Sequence, residues 1–370
     1  MKTIFTFLFC LAFGLATAQD HMFIHTATAA NISTNATILD HPDLNGNPNA
    51  KIVATHNCNP GGLPGGTLNN NVTGVWYNSS SSKCLIYNEA GSTTPMIEDS
   101  SYNVYIAQGD EVIQHIATAA NQGSDPAYTV LDHPLLNGAD PGPKVVVATN
   151  YAGSGYNFHN YGTWFDPAEN KRVIYSEDLA PIPLNAAFYV LISGVGTQTY
   201  THEANAGNIT STYTELDHPL LNNKPNAVFV ISHYFGYGPD PGNNTIVDKV
   251  LGVWYNFIDE RWNIYNEDNT PFQPGTAFDI IIWDPSIMGV AQNGIAGLAF
   301  SPNPVFEKTT LSAEYPLKSV VLYDALGQEL LVLHPASTPF ELDLSHFPSG
   351  NYFAKVTTGK ATETIKLIKQ

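Results

Sequence analysis

Short runs of apolar residues, separated by loops rich in glycine, proline and asparagine, recur along the chain. Typical runs are Ile52-Val53-Ala54-Thr55, Val145-Val146-Val147-Ala148-Thr149 and Val228-Phe229-Val230-Ile231-Ser232. They are four or five residues long and rich in valine and isoleucine, which is the pattern of strands bounded by turns. The pattern predicts an all-β protein.

The same succession of motifs occurs three times, at a spacing of about 90 residues. Each copy opens with His-x-Ala-x-Ala, at His25, His115 and His202, and continues through Leu-Asp-His-Pro and an apolar run to a Gly-x-Trp motif. About six strands per copy predict an antiparallel β-sandwich or barrel for each repeat. A unit of this length can close its own core, so we expect three tandem domains, with a pseudo-threefold assembly as the alternative.

These motifs divide the chain into six segments. We assign 1–18 to a signal peptide, 19–109, 110–198 and 199–284 to the three β-repeats, 285–298 to a linker and 299–370 to a different C-terminal module. Residues 1–18 have a positive Lys2, an apolar stretch and a small-residue cleavage site ending at Ala18, which is the pattern of a secretory signal. That stretch is too short to cross a bilayer, and we expect no membrane span.

The C-terminal module has motifs of its own, which begin at Phe300-Ser301-Pro302-Asn303-Pro304 and end at Lys366-Leu367-Ile368-Lys369-Gln370. Between them lie Val320-Val321-Leu322-Tyr323-Asp324 and Pro348-Ser349-Gly350-Asn351-Tyr352. This order of motifs resembles the C-terminal sorting domain of the type IX secretion system of Bacteroidota. The resemblance implies a small β-sandwich, the secretion machinery as a partner, and passage through the periplasm to the cell surface or the medium. The three repeats resemble a recurrent unit of secreted bacterial proteins whose function is unknown.

The charge is strongly acidic, with 33 Asp and Glu against 15 Lys and Arg and a net charge of −18. This charge excludes a nucleic-acid partner, because binding to nucleic acid requires a basic protein surface. The segment from Ser301 carries seven acidic and six basic residues, so the negative charge belongs to the repeats. It favours neutral over anionic ligands, unless calcium bridges them.

A tryptophan and a second aromatic residue recur as neighbours in each repeat. We predict that they are candidate ligand-binding residues, because an exposed ring face suits the C–H face of a sugar. Neighbouring strand residues face opposite sides, so we expect one ring of each pair in the core and the other available to solvent. The pairs are Trp76 and Tyr77, Trp164 and Phe165, and Trp254 and Tyr255.

Histidine and aspartate also recur, in the opening motif and in the Asp-His-Pro motif. A carboxylate beside an imidazole suits acid–base chemistry or a divalent metal if the two motifs meet in space. An aspartate before His-Pro can equally cap its own turn, and identity in all three copies favours that structural role. The candidates are His25, Asp40, His41, His115, Asp132, His133, His202, Asp217 and His218. Two further histidines, His56 and His233, are replaced by Asn150 in the middle copy, which weakens any site that requires them.

Two further features concern ions and thiols. Acidic residues follow the Ile-Tyr strands at Glu89, Glu177 and Glu267, where they are either calcium ligands or part of solvated turns. Cys58 and Cys84 occur in the first copy alone, and we predict a disulfide between them because export leads to an oxidising compartment.

The sequence has no Gly-x-Ser-x-Gly, His-Glu-x-x-His or phosphate-binding motif, so it indicates no catalytic residue and no cofactor, with calcium as a possible exception. We therefore expect a secreted or cell-surface β-protein that binds extracellular ligands, above all glycans. The alternatives are an extracellular hydrolase that uses the Asp-His clusters, with or without a metal, and a structural adhesin or matrix protein.

Overall fold

The computed structural model of the chain describes residues 22–107, 109–138, 142–151, 156–193, 197–236, 244–284, 295, 298–324, 328–335, 337–358 and 362–370. The chain divides into two compact units, 1–284 and 285–370. In the described ranges the regular structure is β-strand, apart from one 3-10 turn at Pro60–Gly62, which confirms the all-β prediction. The predicted signal peptide with Ala18, and most of the predicted linker 285–298, lie outside the described residues.

The first unit contains three sets of strands that follow the three repeats. Repeat 1 has β1 (Met22–Thr26), β2 (Ile32–Ser33), β3 (Ala36–Leu39), β4 (Ile52–Asn57), β5 (Thr73–Asn78), β6 (Lys83–Asn88) and β7 (Ser101–Ile106). Repeat 2 has β8 (Val112–Ile116), β9 (Tyr128–Val130), β10 (Val145–Asn150), β11 (Tyr161–Asp166), β12 (Lys171–Ser176) and β13 (Ala187–Ile192). Repeat 3 has β14 (Thr197–Ala204), β15 (Ile209–Thr210), β16 (Tyr213–Glu215), β17 (Phe229–Phe235), β18 (Leu251–Asn256), β19 (Arg261–Asn266) and β20 (Thr276–Trp283).

Each repeat is a β-sandwich with a core between its two halves. In repeat 2, Phe188 and Val190 of β13 pack with Leu131 and Ile174 in one cluster of buried residues. The core of repeat 3 is built in the same way around Phe278. The predicted sandwich for each repeat is confirmed.

The two layers of each sandwich belong to different sheets, and every sheet is shared by two repeats. Within the described residues, the sheets of this unit have the orders β1-β7-β4-β18-β19-β16-β15, β2-β3-β6-β5-β10-β13-β8 and β14-β20-β17-β11-β12-β9. The joins are short parallel pairings of β4 with β18, β10 with β5 and β17 with β11. Repeat 1 therefore joins repeats 2 and 3, and repeats 2 and 3 join each other.

The repeats therefore form the pseudo-threefold assembly that was the alternative, and not three independent tandem domains. The physical reason is the hairpin that carries each tryptophan. A sandwich standing alone would leave one strand of that hairpin as an unpaired edge, and edges with free backbone groups are liable to pair with other chains. The strand arriving from a neighbouring repeat covers each of these edges.

The second unit is a smaller β-sandwich. Its strands are β21 (Ala299–Ser301), β22 (Lys308–Ser312), β23 (Leu317–Tyr323), β24 (Glu329–Leu333), β25 (Phe340–Asp343), β26 (Gly350–Thr358) and β27 (Thr362–Lys369). They form the sheets β21-β22-β25 and β24-β23-β26-β27 around a core that includes Leu311, Val320 and Leu342. The predicted C-terminal sandwich is confirmed.

The predicted disulfide between Cys58 and Cys84 is wrong, because both thiols are free. The two halves of repeat 1 enter different sheets, and this separates the cysteines. Cys58 follows β4 and donates its backbone N–H to Val253 in the first sheet, whereas Cys84 lies in β6 of the second sheet. Burial raises the pKa of the Cys84 thiol to about 11, so this side chain behaves as a small apolar core residue.

Candidate functional site

The tryptophan of each predicted aromatic pair is half-buried, while its neighbour packs inward. Phe165 and Tyr255 are buried, and Tyr77 packs against the core of repeat 1. These three rings are therefore part of the packing. Trp76, Trp164 and Trp254 keep part of their surface open to solvent.

Trp76 lies in a cavity of about 260 Å³ where repeats 1 and 2 meet. Its ring is 5.8 Å from Tyr151, and Tyr151 is 5.7 Å from Tyr156, both measured between ring centroids. Tyr87 forms the floor and contacts both tyrosines. Polar groups complete the lining at Ser33, Thr34, Asn35 and Asn78.

Trp164 lies in the equivalent cavity between repeats 2 and 3, of about 150 Å³. Tyr128 stands edge-on to it at 5.4 Å, and Phe235 lies 5.8 Å from Tyr175. Leu179 and Ile246 complete a lining that is almost entirely apolar.

Trp254 marks the third junction, between repeats 3 and 1. Tyr213 stands edge-on to it at 5.2 Å, as Tyr128 does to Trp164. The strand from the neighbouring repeat brings Cys58 to this junction. The equivalent strands bring Tyr151 to the Trp76 junction and Phe235 to the Trp164 junction. The three tryptophans are thus equivalent in the fold, but their surroundings differ.

Beneath each tryptophan hairpin a glutamate is buried, which the sequence had suggested as a calcium ligand or a turn residue. Glu89, Glu177 and Glu267 are each less than 3% exposed, so the prediction of solvated turns is wrong. Each accepts a hydrogen bond from the tyrosine two residues earlier in the chain. The Tyr265 hydroxyl lies 2.5 Å from Glu267 Oε1. Burial is the main reason why the pKa of Glu89 is raised.

The glutamates tie neighbouring repeats together. His56 Nδ1 of repeat 1 pairs with Glu267 of repeat 3, and His233 Nδ1 pairs with Glu177 at 2.6 Å. A backbone N–H completes each site, from Asn69, Val247 or Asn157. These groups satisfy a buried carboxylate, and the arrangement therefore locks the junctions.

The middle copy departs from this pattern at a position that the sequence misplaced. The motif alignment sets Asn150 against His56 and His233, whereas the strand register sets Thr149 there. The Thr149 hydroxyl bonds to Glu89, and so it takes the role of the imidazole. The sequence does not show where the apolar run of each repeat begins and ends, and so it does not reveal this shift of one residue.

The three strands β4, β10 and β17 meet around a polar cavity of about 130 Å³. Thr55 Oγ1 accepts the backbone N–H of Ile231 at 3.0 Å, and Ser232 Oγ accepts that of Val147 at 2.9 Å. These contacts join the repeats at the pseudo-threefold axis. A polar cavity of this size suits a few ordered water molecules.

The opening histidines act within their own repeats. The Nε2 atoms of His25, His115 and His202 lie 2.7, 2.7 and 2.8 Å from the hydroxyls of Thr37, Thr129 and Thr214. Each hydroxyl in turn donates to the side-chain oxygen of the asparagine six residues after the histidine, namely Asn31, Asn121 and Asn208. Burial lowers the pKa of all three histidines to about 4, so each ring is neutral at pH 7.

The Asp-His-Pro motifs form exposed turns, and the structure does not bring them to the opening histidines. Asp40 accepts hydrogen bonds from Asn45 and Lys83, and these lower its pKa. Asp132 and Asp217 likewise accept a side-chain hydrogen bond, from Asn137 and Asn222. The Nδ1 atoms of His41, His133 and His218 accept a backbone N–H two residues later. The two motifs therefore do not meet in space, as the alternative of an acid–base or metal site required.

The described residues contain no group of three or more His, Cys, Asp or Glu side chains that could hold a metal ion. The buried glutamates face tyrosine, histidine or threonine, and backbone donors instead. The functional candidates that remain are the tryptophan junctions. Sequence reasoning had missed Tyr151, Tyr156, Tyr128 and Phe235, whose aromatic character was the available signal.

Comparison with known families gives a match over the repeats and another over the C-terminal unit. A family described as a domain of unknown function, DUF7452, matches three times, at residues 11–93, 74–170 and 162–282. The chain belongs to this family. The second match overlaps the first at residues 74–93 and the third at residues 162–170.

The second match is to a secretion system C-terminal sorting domain, over residues 300–370. This confirms the resemblance predicted for 299–370. The sorting domain directs export through type IX secretion to the cell surface or the extracellular space, and its partner is the type IX machinery. No helix among the described residues is long and apolar enough to cross a membrane.

No curated protein matches the chain. Among solved structures it is similar to PorZ, a bacterial surface component of the type IX secretion system of Porphyromonas gingivalis, with 12% identity and a TM-score of 0.18. The likeness covers 85% of this chain and 46% of that chain, so the chain spans less than half the length of PorZ. A TM-score this low supports no conclusion about function.

Proposed function

We propose that this exported DUF7452 protein binds neutral glycans outside the cell, at the aromatic cavities between its repeats. The observation that carries the proposal is the Trp76 cavity. It presents the rings of Trp76, Tyr151 and Tyr156 beside the side chains of Ser33, Thr34 and Asn78. Ring faces suit the C–H surface of a pyranose, and the nearby hydroxyl and amide groups suit its hydroxyls.

The charge of the protein supports a neutral ligand. The net charge of −18 belongs to the repeats, and neither the Trp76 nor the Trp164 cavity is lined by Lys or Arg. An anionic sugar would meet repulsion without a basic partner in the lining. Sulfated and uronic polymers should therefore bind less well than neutral ones.

The closed assembly also allows several weak binding sites to act together. Cavities on one rigid unit can engage neighbouring stretches of one polymer, and linkage raises the effective concentration at the second site. Long polysaccharides should therefore bind more tightly than short oligosaccharides.

The test is retention on insoluble neutral polysaccharides, cellulose, xylan, mannan and curdlan, together with a glycan array. The wild-type protein should be retained on at least one of them, and Trp76→Ala should weaken retention at least tenfold. Phe257→Ala is a matched control, because Phe257 is an exposed aromatic residue outside the cavities. Retention on none of these polymers, or equal retention of Trp76→Ala, would contradict the proposal.

A further inference from the structure

The three tryptophan junctions differ at one equivalent position. The parallel pairings place Tyr151 next to Trp76, Phe235 next to Trp164, and Cys58 next to Trp254. Tyr151 donates its backbone N–H to Val75 at 3.1 Å, and Cys58 donates to Val253 at 2.9 Å, so the backbone geometry is the same. Two junctions therefore receive an aromatic ring from the neighbouring repeat, and the third receives a thiol.

The tyrosine beneath each junction contacts the residue at this variable position. Tyr87 is 5.9 Å from the ring of Tyr151, and Tyr175 is 5.8 Å from the ring of Phe235. At the third junction the Cys58 thiol, and not a ring, lies against the Tyr265 hydroxyl. The thiol therefore fills only the part nearest the backbone of the space that a ring fills in the other two junctions.

A glycine-rich loop that follows Cys58 lies over this thiol. The chain turns at Pro60–Gly62 and comes back so that the Thr67 N–H donates to the Cys58 carbonyl at 3.3 Å. Gly66 then lies directly against Cys58. A Cβ at position 66 would come within 2.6 Å of the Cys58 carbonyl oxygen and would also meet its Sγ, so a glycine is required there.

The other end of this loop is fixed to the strand that bears Trp254. The Asn59 side chain accepts the N–H of Tyr255 and donates to its carbonyl, both at 2.8 Å. Gly62 packs closely on the Tyr255 ring and on Pro225. An aromatic ring at position 58 would collide with Gly66, whereas the small thiol leaves room for the loop.

We propose that ligand binds at the Trp76 and Trp164 junctions and not at the Trp254 junction, because Cys58 and Gly66 stand where the third wall of that cavity would be. The inference rests on the proposed glycan binding and makes it more specific. Three similar repeats then give two sites, of which the Trp76 site has a polar lining and the Trp164 site an apolar one.

Isothermal titration calorimetry with soluble neutral hexasaccharides, namely cellohexaose, xylohexaose, mannohexaose and laminarihexaose, tests the inference on the full chain. The expected stoichiometry is two per chain for the hexasaccharide that binds. Trp76→Ala and Trp164→Ala should each reduce it to one. Trp254→Ala is the matched variant at the third junction, and it should leave the stoichiometry at two with less than a twofold change in Kd.

A second measurement does not depend on tolerance of the alanine variants. Replacing tryptophan by 5-fluorotryptophan gives each indole a fluorine resonance. Trp→Phe variants at positions 76, 164 and 254 assign the resonances of these three tryptophans. During titration with the same hexasaccharide the resonances of Trp76 and Trp164 should shift, and that of Trp254 should not. Three sites, or a shift at Trp254 as large as the other two, would overturn the inference while leaving glycan binding intact. No binding of any hexasaccharide and no retention on the polymers would overturn both.

Discussion

A few buried polar residues determine how the repeats fit together. Each junction contains a carboxylate that is almost fully enclosed, and its partners come from two repeats. An unpaired carboxylate in such a place is strongly unfavourable, so the repeats gain their stability jointly. A glycine under each carboxylate lets the strand and the side chain approach closely.

Gly252→Ala should destabilise the protein, because a methyl group at this position would lie 2.6 Å from the Tyr265 hydroxyl and would also collide with Glu267 Oε1. Overpacking of this kind costs roughly 1–3 kcal/mol of the free energy of unfolding. Urea denaturation at neutral pH measures the change. Gly109→Ala is the control, since the nearest atom to a methyl group there is a Glu111 carboxylate oxygen at 3.1 Å, and neither backbone nor a ring lies within 4 Å. Equal stability of the two variants would contradict this account of the junction.

The buried opening histidines predict a dependence of stability on pH. Burial holds the pKa of His115 at about 4, below its unfolded value of 6.5, so the unfolded chain binds the proton more readily. The stabilising contribution is complete above pH 6.5 and is lost as the pH falls towards 4. Each such histidine adds a slope of about 1.4 kcal/mol per pH unit in that window.

His115→Asn should therefore make the plot of unfolding free energy against pH shallower between pH 6 and pH 4.5. Urea denaturation at several pH values measures both slopes. Thr210→Val, an exposed change without a titrating group, is the control and should leave the slope unchanged. Glu89 and Asp279, whose pKa values are raised, contribute with the opposite sign in both proteins. Parallel curves for wild type and His115→Asn would show that His115 does not titrate in this way.

At the scale of strands, the period and composition of the apolar runs predicted the strands and the sandwiches, but not the partners of each strand. The parallel joins involve the last residues of β4, β10 and β17, such as Asn57 next to Val253, and nothing in the local pattern separates a paired edge from a free one. The shift between Asn150 and Thr149 has the same origin. A run of similar apolar residues fixes the alternation of faces but not the register across repeats.

Strands of repeats 2 and 3 are also joined by a buried charge. Asp279 of β20 is fully buried, with Arg172 at 3.6 Å and Lys144 at 3.7 Å, and it accepts the backbone N–H of Val145. The Arg172 guanidinium lies over the ring of Tyr234. Both charges are removed from water, so each depends on the other.

Asp279→Asn should lower the free energy of unfolding by about 3–5 kcal/mol, because it leaves the guanidinium of Arg172 buried without its counter-charge. Thermal and urea denaturation at pH 7 measure the loss. Asp132→Asn is the matched control: Asp132 pairs with Lys171 on the surface, where such pairs contribute little. A change of similar size in the two variants would show that the buried pair does not hold the repeats together.

At the scale of the molecule, the sequence placed the acidic charge in the repeats and the export signal in the last segment. Closure of the ring could not be predicted in the same way, because it depends on contacts between residues far apart in the chain. His56 and Glu267, for example, belong to the first and third repeats. The sequence of one repeat contains half of such a contact, which no local pattern reveals.

The closed ring predicts that the repeats fold together and not singly. A fragment of residues 22–107 would leave His56 without Glu267, Glu89 without Thr149 and Asn157, and the edges of β4 and β5 without their parallel partners. A fragment of residues 22–193 would keep one junction of three. Residues 22–284 should give a dispersed proton–nitrogen NMR spectrum and one cooperative thermal transition, while the single-repeat fragment should give neither. Cooperative melting of 22–107 alone would show that each sandwich is stabilised by its own core, and the buried glutamates would then be a consequence of the ring and not a requirement for folding.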